Sequence, residues 1–179
     1  MSDNQSAWSV PIDVEDIAET GMHIEIEAPA EIRLALAETA CVRDVKWLRA
    51  TFDLTKRGAR VDVIGQVKAT VGQTCVVTLE PIDNEIEEAI DLVFAPMSAG
   101  ATAAPRSGGQ RKGDDEPPEP LIDGAIDLGA IASEFLILGI DPYPRKTGAQ
   151  FAPPKVASDG PRPFAALEVL KKRQGTLKS

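Results

Sequence analysis

The single imidazole and the two thiols, His23, Cys41 and Cys75, are the first place to look for chemistry in this sequence. A histidine acting as a general base needs a nucleophile to serve and a carboxylate to orient it. His23 lies in the run MHIEIE with neither a serine nor a cysteine beside it, which reads as an exposed residue of a strand. Cys41 and Cys75 stand 34 residues apart with no CxxC pairing. With His23 they would still be one ligand short of the usual four-coordinate zinc site. Both thiols therefore read as small buried hydrophobes. The acids Glu85, Glu87, Glu88 and Asp91 form the densest carboxylate group in a strand-like run. Period-two alternation puts Glu85, Glu87 and Asp91 on one strand face, opposite Ile86, Ile90, Leu92 and Phe94. That arrangement is an ordinary solvated face, not an acid–base pair. The chain contains no GxGxxG, Walker, HExxH or GxSxG motif. No catalytic residue, metal or cofactor is expected, and the chain is not expected to be an enzyme.

These residues must be positioned by strands. Trp8–Val14 reads as a short strand with Pro11 at an edge or bulge, and Met22–Ala28 alternates apolar with polar. Pro29 opens an expected helix over about Ala30–Thr39, with a strand as the alternative because Ile32, Leu34 and Leu36 form no clean helical stripe. Leu48, Ala50, Phe52 and Leu54 share one face of a third strand, and Thr55–Gly58 reads as a turn into Arg60–Thr70. There Val61, Val63, Val67, Ala69 and Val71 lie on one face with Gly65. Gly72 is read as a tight turn into Gln73–Leu79, and Pro81–Asn84 as turn chemistry before the strand that ends at Phe94. Hairpin-linked strands in succession predict an antiparallel meander. Asp127 is placed to cap a helix over about Leu128–Leu138, whose Leu128, Ile131, Ala132, Phe135 and Leu136 form a core-facing stripe. Gly139 is expected to end it.

The expected fold class is α+β. It has an antiparallel meander of about five or six strands, for which a partly rolled barrel is one available form, and two or three packed helices. Residues 97–120 hold few large apolar side chains among many Gly, Pro, Ser and charged residues, and are expected to be a disordered insertion. A short terminal helix carries Phe164, Leu167 and Leu170. The reading is a single domain over residues 1–170, with a basic tail at 171–179.

Net charge is −9 over 179 residues and is unevenly spread. Residues 1–30 hold seven acids and no bases, and residues 71–134 hold thirteen acids against three bases. Residues 31–70 carry eight bases against five acids, and 135–179 eight against three. Phosphate polymers repel such a chain on average, so no DNA partner is expected, and RNA would need a local basic face. Arg43, Lys46, Arg49, Lys56, Arg57 and Arg60 are the candidates to supply one. No apolar run reaches the roughly 20 residues of a membrane span, and residues 1–19 have no basic, then apolar, pattern, so no secretory signal is expected. Two cysteines supply no disulfide framework, which fits a reducing cytoplasm.

One set of motifs carries a resemblance. Cys75-Val76-Val77-Thr78-Leu79-Glu80-Pro81 is similar to the C-x-R-C-L-x-P hairpin of the YceD family, small bacterial and plastid proteins linked to accumulation of large-subunit ribosomal RNA. The similarity continues through Asp91–Phe94, Ile126-Asp127-Leu128, Asp141-Pro142-Tyr143-Pro144 and Pro163-Phe164-Ala165-Ala166-Leu167. Together these cover about Val61 to Leu170. The sequence departs from the pattern at Val77, where the family has arginine, and at Thr78, where it has its second cysteine. A hydroxyl is a poor substitute for a thiolate on zinc. The resemblance implies a ribosome-biogenesis factor that binds ribosomal RNA or a large-subunit ribosomal or assembly protein. Cys75, Leu79, Glu80 and Pro81 then serve as a structural signature. The competing expectation is a protein–protein adaptor with no ribosomal role, using its acidic face or a sheet edge on a basic partner.

Overall fold

The computed structural model describes residues 7–96 and 118–151. All described elements belong to one compact unit, Met1–Ala149. The expected terminal helix, the basic tail, the domain end at 170 and most of the expected disordered insertion lie outside the described residues.

Three long strands form the body: β3 (Asp44–Arg57), β4 (Arg60–Thr74) and β5 (Pro81–Pro96). They pair antiparallel along nearly their whole length, in the meander the alternation predicts. β2 (Met22–Glu27) adds antiparallel to β3, and β6 (Glu119–Leu121) adds parallel to the end of β5. The sheet order is β2-β3-β4-β5-β6. Among the described residues β2 and β6 are the edges of the sheet, which is open and not closed into a barrel. A separate two-stranded ribbon joins β1 (Pro11–Asp13) to β7 (Ala125–Asp127).

The strands are longer than the sequence reading allows. Thr55, Lys56 and Arg57 continue β3, and the turn tightens to Gly58-Ala59, where Gly58 takes φ 64°. Gly72 is no turn: it sits inside β4, between Asp44 and Asp83. A Cβ there would lie 2.5 Å from Asp44 Oδ1. The missing side chain makes room for a neighbour instead of permitting a bend. Pro81–Asn84 is likewise strand. The true turn lies between, over Cys75–Glu80. At the other end, Glu119 and Pro120 are strand, so the expected insertion ends sooner than residue 120.

One sheet face is covered. Leu48, Ala50, Phe52 and Leu54 of β3 and Val61, Val63, Val67 and Val71 of β4 are no more than 1 % exposed. Against them pack α1 (Ala30–Thr39), over β3, and α2 (Leu128–Gly139), over β4 and β5. Each fully buried Leu or Phe contributes about 1.5–3 kcal/mol. Leu36 of α1 and Leu128, Ala132 and Leu136 of α2 complete this core. Asp127 caps α2 as expected, its Oδ1 accepting from the Ala130 N–H at 3.0 Å. Gly139 is the last helical residue, with Ile140 following in extended conformation. Its lack of a Cβ matters for closeness: one would lie 2.5 Å from Ile86 Cγ2.

Candidate functional site

The Cys75–Glu80 turn is closed by its own backbone. The Cys75 N–H donates to the Glu80 carbonyl, and the Leu79 N–H to the Cys75 carbonyl, both at 2.9 Å. Leu79 takes φ 60°, the left-handed region that a β-carbon disfavours. Its side chain projects outward, 76 % exposed. The Cys75 thiol points inward and is fully buried.

Residues 141–146 strap this turn to the sheet. The Val76 N–H donates to the Pro144 carbonyl at 2.9 Å, and Gln73 Nε2 to the Asp141 carbonyl at 2.9 Å. Gln73, 6 % exposed, also accepts from Asn84 Nδ2 at 2.6 Å. Lys146 Nζ pairs with Glu80 Oε2 at 3.0 Å, and its hydrogen bond holds the Glu80 carboxyl below the ordinary range. The Lys146 N–H reaches Cys75 Sγ at 3.3 Å, and the Thr78 N–H reaches it at 3.4 Å. These donors, Lys146 first and then the Thr78 hydroxyl and N–H, pull the thiol from its ordinary 9.0 to about 6. Hydrogen bonds to the charged form outweigh burial, which acts the other way. Cys75 Sγ is thus the buried acceptor that ties strap to turn.

The other chemistry-bearing residues do not join it. His23 is exposed and pairs with Asp53 at 2.7 Å on the outer sheet face. Asp53 stands opposite Ile64, eleven residues before Cys75 on β4, so about 36 Å of strand separates the imidazole from the thiol. Cys41 is exposed at φ 54°, with only a long Sγ contact to the Glu38 carbonyl. Among the described residues no three His, Cys, Asp or Glu side chains converge to hold a metal ion. Glu85, Glu87 and Asp91 do face out together, opposite Thr70, Lys68 and Ile64.

Three of the six basic candidates, Lys56, Arg57 and Arg60, meet at the β3–β4 hairpin, where Arg57 stands opposite Arg60, and four of the six are engaged. Lys46, left unpaired by a bulge in β3, pairs with Asp83. Arg49 pairs with Glu25 at 3.1 Å and Glu27 at 2.9 Å, and lies 5.5 Å from the Trp47 ring centre. Its hydrogen bond lowers the Glu27 pKa and raises its own. Arg57 pairs with Asp62 at 2.8 Å, and Lys56 donates to the Val14 carbonyl at 3.3 Å. Arg43 and Arg60 make no ion pair among the described residues. They stand just outside opposite ends of β3 and its hairpin, up to about 46 Å of strand apart. The open sheet face carries more acids than bases: Glu25, Glu27, Asp53, Asp62, Glu85, Glu87 and Asp91 are set against Arg49, Arg57, Arg60 and Lys68.

Sequence reasoning missed Gln73, Asn84 and Lys146, which hold the strap. Only Lys146 carried a signal, because it follows the Asp141–Pro144 motif closely. It also missed a groove of about 610 Å³ between α2 and the β5–β7 region.

The arrangement is that of a small α+β protein whose motif-bearing cysteine is buried beneath a strap and whose open sheet face carries more acids than bases. Residues 63–171 match the family described as Large ribosomal RNA subunit accumulation protein YceD, and the chain belongs to that family. No curated protein and no solved structure matches it. Among the described residues no helix is long and apolar enough to cross a membrane.

Proposed function

We propose that this chain is a non-enzymatic, cytoplasmic factor that supports accumulation of large-subunit ribosomal RNA by binding a basic ribosomal or assembly protein. The observation that carries the ribosomal reading is the family match over residues 63–171. The choice of a protein partner over RNA rests on the charge arrangement. A strand of phosphates is bound by several unpaired cations within reach of one another. Four of the six candidate cations here are already engaged, and the two free of ion pairs lie far apart. The acidic open face instead complements a basic protein, steering its approach and selecting against polyanions.

The test couples two measurements. The protein should co-sediment with large-subunit precursors, and replacing Glu25, Glu27 and Glu87 by lysine should release it. The purified chain should show no salt-dependent affinity for large-subunit RNA. RNA binding that disappears on replacing Arg43 and Arg60 with glutamate would shift the assignment to direct RNA contact. Absence from the precursor fractions would remove the ribosomal reading.

A further inference from the structure

Helix α2 is far more apolar than its position requires. Its sequence, LGAIASEFLILG, has one charged residue, Glu134. A helix apolar on most sides is ordinarily buried on most sides. Leu128, Ala132 and Leu136 do lie in the core, yet Leu138 is 70 % exposed and Ile137 41 %. Ile131, Phe135 and Leu138, at i, i+4 and i+7, form a second stripe that runs from the core at Ile131 out along a groove to exposed Leu138.

That groove measures about 610 Å³ and is floored by Leu92 and Phe94 of β5, with Ile122, 72 % exposed, at its margin. The volume falls within the range of roughly 300–1,000 Å³ found for binding pockets. Its charge is one-sided. Glu119, Asp127 and Glu134 line it, and none of its described lining residues is Lys or Arg. Asp127 is already committed: burial pushes its pKa up, but hydrogen bonds from Ser9, Val10 and Ala130 prevail and hold it down. Glu119 and Glu134 are exposed and make no ion pair among the described residues.

We infer that this groove is a docking site for an amphipathic segment of a basic polypeptide, whose apolar side chains fill the floor while Lys or Arg flanks meet Glu119 and Glu134. Apolar anchors set affinity in such grooves, and the rim charges set orientation and partner choice. The acidic rim disfavours the alternative apolar occupants that carry an anionic head, such as a fatty acid. The site lies on the helix side, distinct from the acidic open sheet face, and does not depend on the ribosomal reading.

The test uses the full chain and a fluorescein-labelled synthetic Leu/Lys amphipathic peptide, read by anisotropy. Wild type should bind it, more weakly as salt rises. Leu138→Asp, at an exposed position that does not threaten folding, should weaken binding by at least ~10-fold. Glu119→Lys with Glu134→Lys should weaken it several-fold and flatten the salt dependence. Ile64→Asp, on the open sheet face, should leave binding unchanged. No binding by wild type, insensitivity to Leu138→Asp, or equal binding of a peptide with every leucine replaced by serine would overturn the proposal. Tighter binding of a Leu/Glu peptide would overturn its basic character. None of these readouts involves ribosomal RNA, so their failure is separable from failure of the ribosomal role.

Discussion

The Cys75–Glu80 turn and the α2 groove are opposites. The turn carries the most recognisable motif in the chain, and its polar groups are spent internally. The Cys75 sulfur accepts from Thr78 and Lys146, Glu80 pairs with Lys146, and the strap closes over Val76. The groove is lined in part by the Asp91–Phe94 and Ile126–Asp127 stretches, yet among the described residues it leaves apolar surface and two carboxylates unmatched. A motif here records what the backbone needs in order to turn. What a partner could touch is made of residue types that look ordinary in sequence.

The contrast can be broken first at α2 itself. Leu136→Ala removes a fully buried side chain and should cost about 2–5 kcal/mol in urea unfolding. Leu138→Ala, two residues on, should stay within about 0.5 kcal/mol. Comparable losses at both positions would mean that the second stripe is core, and the groove would then not be a free surface.

A pH series sharpens the other side. Cys75 has its folded pKa lowered to about 6 from an ordinary 9.0. Its stabilisation is therefore fully present above pH 9 and is lost as pH falls toward 6. Cys75→Ala should lower the urea midpoint at pH 8 and flatten the rise in stability between pH 6 and 9. A variant that kept the wild-type slope would show that the thiolate does not hold the strap. The smallest effect is expected at Leu79. Its exposed side chain packs on little, and glycine accepts its positive φ without strain. Leu79→Gly should change unfolding free energy by less than about 0.5 kcal/mol, whereas a loss above about 1 kcal/mol would make its side chain part of the clamp.

The regular elements were readable because alternation reports burial directly. The faces of Leu48–Leu54 and Val61–Val71, the helix from Ala30 and the Asp127 cap all follow from local pattern. The misreadings concern residues whose meaning is set by distant neighbours. Gly72 looked like a turn because no local cue reveals the Asp44 side chain beside it. Gly139 does end the helix as expected, but its second role, making room for Ile86, has no local cue. At the motif, Cys75, Leu79, Glu80 and Pro81 were legible as a local signature, but the strap from Lys146 was not, since 71 residues separate it from Cys75. The basic segment at 31–70 could be counted from sequence. Only register shows that Arg49 and Arg57 already have acidic partners.

The central claim is that this chain supports large-subunit ribosomal RNA. The most direct measurement is the ratio of mature large- to small-subunit ribosomal RNA in cells lacking the protein and in cells re-supplied with it. The account predicts that the ratio falls on loss and is restored by the wild-type chain. An unchanged ratio in the deleted strain would contradict it.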